Sequence, residues 1–351
     1  MCLRHSGSGR SAPHECHLLT RAILVFHASQ HEVRTPLGAH FRKRLDGRRN
    51  TKPKKSDEQR LVCTPFNPDG FHFGKIRNEK ERLMNLQLGA GRYDVLTNKF
   101  PLFHKHMLLV ADALVPQQMT GTHLSAITEL LSATTGFCAY FNSWCASASV
   151  NHFHCHLIDE HPPVTTFPLV DGPMVKGVRS LRPDGFKGTC YCFASSSLEL
   201  VESLIKAMQV DNQPHNLLFT PRLVYVFPKP HVRPSRSFDL YPETVGGPEL
   251  IGSFTVYQQE DYDALTLEGV EALCRMNTAP LPARLLAEAS PAPSASLSHD
   301  ENAALGWTDR DGRSVRQRVG EAPPRKVHAN VWPQDRPIAL ALMRCNSAPI
   351  A

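Results

Sequence analysis

The sequence of 351 residues lacks any uninterrupted apolar run close to the roughly 20 residues that cross a bilayer. The longest candidates, such as HMLLVADALV, are interrupted by charge. No CxxC pair occurs among the ten cysteines, and Cys190 and Cys192 stand too close together for the usual zinc knuckle. With no secretory signal recognisable either, these absences predict reduced thiols and a cytoplasmic protein that has no membrane partner.

Acidic residues are scarce near the amino terminus, where basic residues crowd together. The densest cluster comprises Arg42, Lys43, Arg44, Arg48, Arg49, Lys52, Lys54 and Lys55. It lacks the aromatic residues and the helical periodicity of a folded nucleic-acid-binding domain, so we interpret it as a solvated arm and expect no nucleic-acid partner. A nuclear-import signal or an RNA-contacting tail stays open as the alternative for this cluster. The Arg- and Ser-rich segment of residues 1–26 leaves an organelle transit peptide open as well.

The composition is that of a globular protein, with 41% hydrophobic and 21% charged residues. Apolar residues are dense in the middle of the chain, whereas the carboxyl-terminal part is rich in Ala, Ser and Pro without periodicity. We therefore predict a disordered basic extension over residues 1–57, a folded core over 58–280 and a low-complexity tail over 281–351.

The core alternates short apolar strands with two amphipathic helices. Helical spacing connects Leu124, Ile127, Leu130 and Leu131 in one segment, and Leu198, Val201, Ile205 and Met208 in another. The segments predicted as strands are YDVLTNKF, HMLLVAD, FCAYFNSW, SVNHFHCHLI, NLLFTPRLVYVFPKP and ELIGSFTVYQ. A strand–Pro turn–strand pattern occurs twice, which favours an α+β fold of two related halves, residues 58–170 and 171–280.

Three histidines alternate with apolar residues in the segment NHFHCHLI. On a β-strand, side chains two apart point to the same face, so His152, His154 and His156 should form one row. The intervening residues, Phe153, Cys155 and Leu157, should enter the core and fix the register of that row.

Such a row has three possible uses. It can bind a metal ion, although no nearby Cys, Asp or Glu completes a ligand set. It can supply a nucleophile that attacks phosphorus, which the preceding small and polar run NSWCASASVN favours by letting a backbone approach a phosphate. It can also be purely structural, which three alternating histidines make the weakest interpretation. His106, at the end of a separate strand pair, could face the same pocket.

The motif HFHCHLI has the histidine–apolar alternation that names the HIT (histidine triad) superfamily of nucleotidyl hydrolases and transferases, so the core resembles that superfamily. The longer segment FNSWCASASVNHFHCHL resembles the active-site strand of the GDP-galactose and GDP-glucose phosphorylases. VLTNKFPLFHKHMLLVADALVPQ is similar to the diadenosine tetraphosphate phosphorylases and adenylyltransferases. FNPDGFHFGKI, NLLFTPRLVYVFPKP and PETVGGPELIGSFTVYQQEDYDALT look like further segments of the GDP-hexose phosphorylases.

The resemblance implies a covalent mechanism. His154 would be the nucleophile, and the backbone carbonyl of His152 would fix its reactive tautomer. His156 and His106 would contact phosphate oxygens or steady the rings. Ser149 would assist the leaving group.

The resemblance also implies substrate-binding residues. Asn98 would bind the ribose hydroxyls, Lys99 would meet the polyphosphate charge, and Asn142 would contact a phosphate. Gln117 matches a recurrent position to which no role is attached.

One residue departs from the phosphorylase pattern. The phosphorylase and transferase branch carries glutamine where this chain has His156, whereas the hydrolase branch carries histidine. The flanking segments favour a phosphorylase, and the triad favours a hydrolase. We give the flanking segments more weight, because they cover more of the sequence.

The expected function is therefore cleavage of a nucleotide sugar resembling GDP-hexose, with phosphate as the acceptor. No metal site and no cofactor are expected, although magnesium can accompany the substrate's phosphates. Attack requires a neutral imidazole, so we expect activity to fall below about pH 6, near the free imidazole pKa. A HIT-type hydrolase, a metal-dependent enzyme and a catalytically silent nucleotide-binding protein stay open.

Overall fold

A computed structural model describes residues 33–47 and 61–286. Its strands are β1 Val33–Leu37, β2 Phe41–Leu45, β3 Arg82–Leu88, β4 Gly91–Thr97, β5 Met107–Ala111, β6 Cys138–Asn142, β7 His154–Ile158, β8 Leu169–Val175, β9 Val178–Pro183, β10 Tyr191–Ala194, β11 His215–Phe219, β12 Leu223–Pro228 and β13 Ser253–Val256. Its α-helices are α1 Gly121–Ser132, α2 Leu198–Val210, α3 Gly247–Leu250, α4 Gln259–Ala264 and α5 Leu267–Met276.

Ten strands form one sheet in the order β3-β4-β5-β7-β6-β11-β12-β10-β9-β8, and all neighbours are antiparallel. Each half of this sheet has the same chain order: three strands, a helix and two strands. The halves meet where β6 pairs with β11. The α+β class and the antiparallel sheets with packed helices are thus confirmed, while the division at residue 170 stays a prediction.

Both long helices cover the same face of the sheet. Their helically spaced apolar residues, including Leu124, Ile127, Val201 and Ile205, are buried in one cluster with residues from strands of both halves. Phe153, Cys155 and Leu157 belong to the same cluster, as the alternation in the sequence predicts. Among the described residues, the helices include none that is long and apolar enough to span a membrane.

The opposite face of the sheet is covered by different residues in the two halves. Over the second half, Tyr225 and Phe227 pack beneath Phe254 of β13 and the carboxyl-terminal helices in a second cluster. Strand β13 also pairs with β2, which forms a small three-stranded sheet with β1. Over the first half, the same face carries the histidines.

The prediction that residues 1–57 are disordered is wrong for residues 33–47, which form β1 and β2. The basic residues there are paired rather than solvated: Glu160 lies within 4 Å of three arginines, Arg34, Arg42 and Arg44. These cations lower the pKa of the Glu160 carboxyl, although its burial alone would raise it. Residues 1–32 and 48–60 lie outside the described part of the chain.

Two boundaries near the carboxyl terminus also differ from expectation. Leu281 and Leu285 are buried in the core beneath the long helices, so the folded part extends past residue 280. The segment ELIGSFTVYQ is a strand only over β13, because its first two residues end helix α3. Residues 287–351, most of the predicted tail, lie outside the described residues.

Candidate active site

A cavity of about 1370 Å³ opens over the histidine face of the first half. Residues of both halves line it, with a large contribution from the segment between Tyr241 and Glu249. The predicted site residues on its wall are Asn98, Lys99, His106, Asn142, Ser149, His154 and His156. Seven of the nine residues proposed from the sequence are thus brought together around one space.

The strand register explains which side chains meet there. His154 lies opposite Val110, and His156 lies opposite both Leu108 and Tyr140. Directly opposed residues share a face of the sheet, so the two imidazoles stand between an aliphatic strip on β5 and an aromatic ring on β6. Phe73 completes the apolar side, with its ring centroid 5.0 Å from that of His154.

The tautomer of His154 is set by the backbone. Its Nδ1 lies 2.8 Å from the carbonyl oxygen of His152, which can only accept a hydrogen bond. The neutral ring therefore carries its proton on Nδ1 and its lone pair on Nε2. His154 lines the cavity and is only 2% exposed, so this arrangement can present an imidazole nitrogen to the cavity in a fixed orientation.

His152 does not line the cavity, contrary to the prediction of a single row of three rings. Strand β7 begins only at His154. On the neighbouring chain, the Ala111 N–H donates to the Phe153 carbonyl and the Val115 carbonyl accepts from the Phe153 N–H, so the residues between Ala111 and Val115 form a bulge. The His152 ring fills this bulge: its Nδ1 accepts from the Phe73 N–H at 3.3 Å, and its Nε2 donates to the Ala113 carbonyl at 3.0 Å. Burial lowers the pKa of His152 and so favours the neutral ring.

His156 and His106 form a linked pair. The backbone N–H of Leu102 donates to His106 Nδ1 at 2.9 Å, so the neutral His106 ring carries its proton on Nε2. Two possible acceptors lie near that nitrogen: His156 Nδ1 at 2.8 Å and the Tyr140 hydroxyl at 3.3 Å. Asn98 Nδ2, at 3.0 Å, is itself a donor, because Asn98 Oδ1 accepts from the Phe100 N–H. The single Nε2 proton is therefore assigned to His156, which then carries its own proton on Nε2 and is a hydrogen-bond donor.

Tyr140 fixes the plane of the His156 ring. The two rings are stacked with their centroids 4.3 Å apart and an interplanar angle of 1°. Tyr140 was missed in the sequence analysis, although it stands two residues before Asn142 and so shares its face of β6. Phe73 lies in the segment FNPDGFHFGKI but was not predicted as a site residue, because its contacts with His152 and His154 depend on tertiary structure.

Asn142 is oriented by the second half of the protein. Its Oδ1 accepts hydrogen bonds from Asn216 Nδ2 at 2.7 Å and from the Gly247 N–H at 3.0 Å. With Oδ1 doubly engaged, its Nδ2 is presented as a donor beside the histidines. No Cβ fits at Gly247, because it would lie 2.5 Å from Asn142 Oδ1 and 2.7 Å from the Tyr140 ring.

A buried carboxyl group holds the loop that carries Gly247. Glu249 accepts from the Gly246 N–H at 2.7 Å and from the Tyr241 hydroxyl at 3.0 Å. Burial raises the pKa of Glu249 and lowers that of nearby Lys229 to about 7. Lys229 Nζ donates to the Val245 carbonyl at 2.5 Å, so this network holds the loop in place.

The remaining predicted residues divide clearly. Ser149 and Lys99 are exposed on the wall of the cavity, as binding residues should be. Gln117, which was grouped with the substrate-binding candidates without a role of its own, is fully buried and does not line the cavity, so the structure places it apart from the other candidates of that group. Across the described residues, no group of three or more His, Cys, Asp or Glu side chains is arranged to hold a metal ion.

Comparison with known proteins agrees with the resemblance drawn from the sequence. Residues 19–158 match a family model described as "GDPGP1-like, N-terminal domain". Over 113 residues the chain is 40% identical to GDP-D-glucose phosphorylase 1 of Danio rerio, a match that covers 31% of this chain and 33% of that protein. The match thus spans about one third of the length of this curated relative.

Solved structures show the same fold. Yeast Ap4A phosphorylase Apa2 in complex with Ap4A has a TM-score of 0.55 and 16% identity, covering 76% of this chain and 96% of that chain. Apa2 in complex with AMP gives a TM-score of 0.53, also at 16% identity and over 76% of this chain and 96% of that one. The family model and the curated relative confirm the resemblance to HIT-like GDP-hexose phosphorylases that the histidine motif and its flanks suggest.

Proposed function

We propose that this protein is a nucleotidyltransferase of the phosphorylase type, which cleaves a nucleoside diphosphate hexose through a nucleotidyl group bound covalently to His154. The observation that carries the proposal is the orientation of the His154 ring. The His152 carbonyl accepts a hydrogen bond from its Nδ1, which leaves the lone pair on Nε2, and His154 lines the cavity. The match to a GDP-D-glucose phosphorylase supports the same substrate class.

In the first step, His154 Nε2 attacks the α-phosphorus. The bond from that phosphorus to the bridging oxygen breaks, and its electron pair leaves with the hexose 1-phosphate. Asn142 Nδ2 and His156 Nε2 would donate hydrogen bonds to phosphate oxygens as negative charge develops there. Ser149 would supply a hydrogen bond to the leaving oxygen.

In the second step, inorganic phosphate attacks the same phosphorus from the side that the hexose phosphate vacated. The bond to His154 breaks, and the nucleoside diphosphate is released. The ring returns to the neutral state that the His152 carbonyl favours, and activity is expected to fall below about pH 6 as the nucleophile is protonated. Neither step routes a proton or an electron pair through a metal ion.

The nucleoside is proposed to lie on the apolar side of the cavity. Phe73, Leu96 and Leu108 form a small apolar cluster there, on the same side of the site as Asn98. The aliphatic surface suits a nucleobase, and the Asn98 amide suits ribose hydroxyls. Lys99, exposed beside it, would meet the charge of the diphosphate.

A hydrolase is the second candidate, and His156 is the observation that favours it. The histidine differs from the glutamine of the phosphorylase branch, and water instead of phosphate could then take the nucleotidyl group. Both amino acids offer an N–H donor at the end of a planar group once His106 fixes the histidine tautomer. The histidine can therefore take the place of the glutamine, so His156 alone does not require a hydrolase.

The test is product identity. The purified protein is incubated with α-labelled GDP-glucose, ADP-glucose or a diadenosine polyphosphate, with and without inorganic phosphate. The proposal expects labelled GDP from GDP-glucose, and only when phosphate is present. Labelled GMP formed at the same rate without phosphate would establish the hydrolase, and no turnover of any substrate would contradict both candidates.

A further inference from the structure

Gln117 makes three hydrogen bonds through its buried side-chain amide. Its Nε2 donates to the carbonyl of Asn142 and to the carbonyl of His154, each at 2.9 Å. Its Oε1 accepts from the N–H of His154 at 2.8 Å. Both N–H groups of the amide are thus used, and the reverse orientation of the amide would place its oxygen against two carbonyl oxygens.

The amide stands where a ladder between two strands ends. Strands β6 and β7 pair from Cys138 opposite Ile158 to Tyr140 opposite His156, and no further. The next pair facing the cavity would be Asn142 and His154, whose peptide groups would bond directly in a continued antiparallel ladder. Gln117 is inserted there instead, because a side-chain amide offers the same donor and acceptor as a peptide group.

The insertion separates the two residues on which the chemistry depends. Asn142 and His154 both line the cavity, and with an amide between their backbones they are farther apart than paired strand residues. We propose that Gln117 is a positioning residue, which sets the distance between the His154 nucleophile and the Asn142 donor so that an α-phosphate fits between them. This inference rests on the proposed function.

Gln117 is itself fixed by the scaffold and not by a substrate. Its backbone N–H donates to Asn151 Oδ1 at 2.9 Å. The Asn151 amide in turn donates to the carbonyl of Pro65 at 2.8 Å. The amide of Gln117 is therefore in place before any ligand enters.

The principal test is Gln117→Glu, which keeps the shape of the side chain and an acceptor for the His154 N–H. Its second oxygen faces two carbonyl oxygens, so an ionised carboxylate must shift and carry His154 with it. We expect the single-turnover rate of nucleotidyl transfer to His154 to fall about 100-fold, as a displacement on the order of 1 Å can do. The affinity for the nucleotide sugar should change by less than about 3-fold, because the binding walls are untouched.

The pH dependence distinguishes positioning from a general loss of structure. At lower pH the carboxyl group that Gln117→Glu introduces becomes protonated, and it can then donate to one of the two carbonyls. The ratio of variant to wild-type single-turnover rates should therefore rise from pH 8 to pH 6, whatever the titration of His154 does to both proteins. Gln117→Met, which can make none of the three bonds, should lose rate without showing this rise.

The adjacent Gln118 provides the matched control, since it is partly exposed and outside the cavity wall. Gln118→Glu should leave the rate and its pH dependence unchanged. Transfer by Gln117→Glu within about 3-fold of the wild-type rate at every pH would overturn the positioning role alone. Failure of both Gln117 variants to fold would also overturn the positioning role, because Gln117 would then be a structural residue. A wild-type protein that never labels His154 would overturn both the positioning role and the proposed function.

Discussion

The two halves of the ten-stranded sheet share one topology and use the same face in opposite ways. In the first half, β7 presents His154 and His156 to a cavity of about 1370 Å³. In the second half, β12 presents Tyr225 and Phe227 to a closed apolar cluster. The same topology thus leaves this face open to a cavity in the first half and covers it with packed apolar residues in the second half.

The filled half also takes part in the site. The chain that covers it continues into the loop whose Gly247 N–H orients Asn142. The small sheet of β1, β2 and β13 adds Arg34 and Arg42, which pair with Glu160. Glu160 in turn accepts from the His104 N–H at 2.7 Å, close to His106. The second half and the small sheet beside it therefore support the part of the first half that lines the cavity.

The largest expected effect comes from removing the proposed nucleophile. His154→Ala should reduce phosphorolysis by at least about 10⁴-fold, because both steps pass through that nitrogen. Steady-state release of labelled GDP measures this loss. His161→Ala, at an exposed histidine outside the cavity wall, is the control and should retain activity. Residual turnover above about one hundredth of wild type in the His154 variant would contradict the comparison between the halves.

The contribution of the second half is tested by Gly247→Ala. The added Cβ would displace Asn142 or Tyr140, so the rate should fall about 100-fold although no reacting group is altered. Gly70→Ala provides the control, because a Cβ there meets only ordinary contacts at 3.5 Å or more. If kcat of both variants lies within about 3-fold of the wild-type value, the loop does not shape the site.

Much of this arrangement follows from the sequence, and the exceptions have physical reasons. Alternation in HFHCHLI predicted which residues face the core, because strand side chains have a period of two. It could not show that His152 turns into a bulge, since the bulge belongs to the chain around Ala113. The same limit applies to Gly247 and Gln117, whose roles depend on partners far away in sequence.

The strand β2 was missed for a different reason. A cluster of arginines is usually solvated, and the sequence does not reveal that Glu160 neutralises Arg42 and Arg44 from the end of the histidine strand. Helices α1 and α2, by contrast, were recognisable because their apolar stripes are complete within one segment.

The difference between His156 and the phosphorylase glutamine allows a sharper test. His156→Gln should keep phosphorolysis within about 10-fold of wild type, because an amide N–H replaces the imidazole N–H. His156→Ala removes the donor and should lose about 10² to 10³ in kcat. Comparison of kcat with and without phosphate measures both effects. Equal losses for the two variants would show that a donor at this position is not what matters.

The smallest expected effect is on stability in acid. Burial lowers the pKa values of His123 and His215 to about 4, below the usual value of 6.5 for an unfolded chain. The unfolded state therefore binds more protons between pH 6.5 and about 4, and stability should fall as pH decreases through this window. Each histidine contributes about 1.4 kcal/mol per pH unit there, and nothing above it.

Urea unfolding at pH 7, 6 and 5 measures this slope. His123→Gln keeps an acceptor for the Tyr93 hydroxyl, which lies 2.7 Å from the His123 ring, and should lower the slope by the contribution of one histidine, about 1.4 kcal/mol per pH unit. His231→Gln, at an exposed histidine, should leave the slope as it is. An unchanged slope in the His123 variant would contradict its neutral, buried state.

The most direct measurement of the central claim is acid quenching of the wild-type protein with α-labelled GDP-glucose in the absence of phosphate, followed by identification of the labelled peptide. The account predicts an acid-labile guanylyl group on His154, which disappears with release of labelled GDP when phosphate is added. Rapid turnover with no label on any histidine, or label on a histidine other than His154, would contradict it.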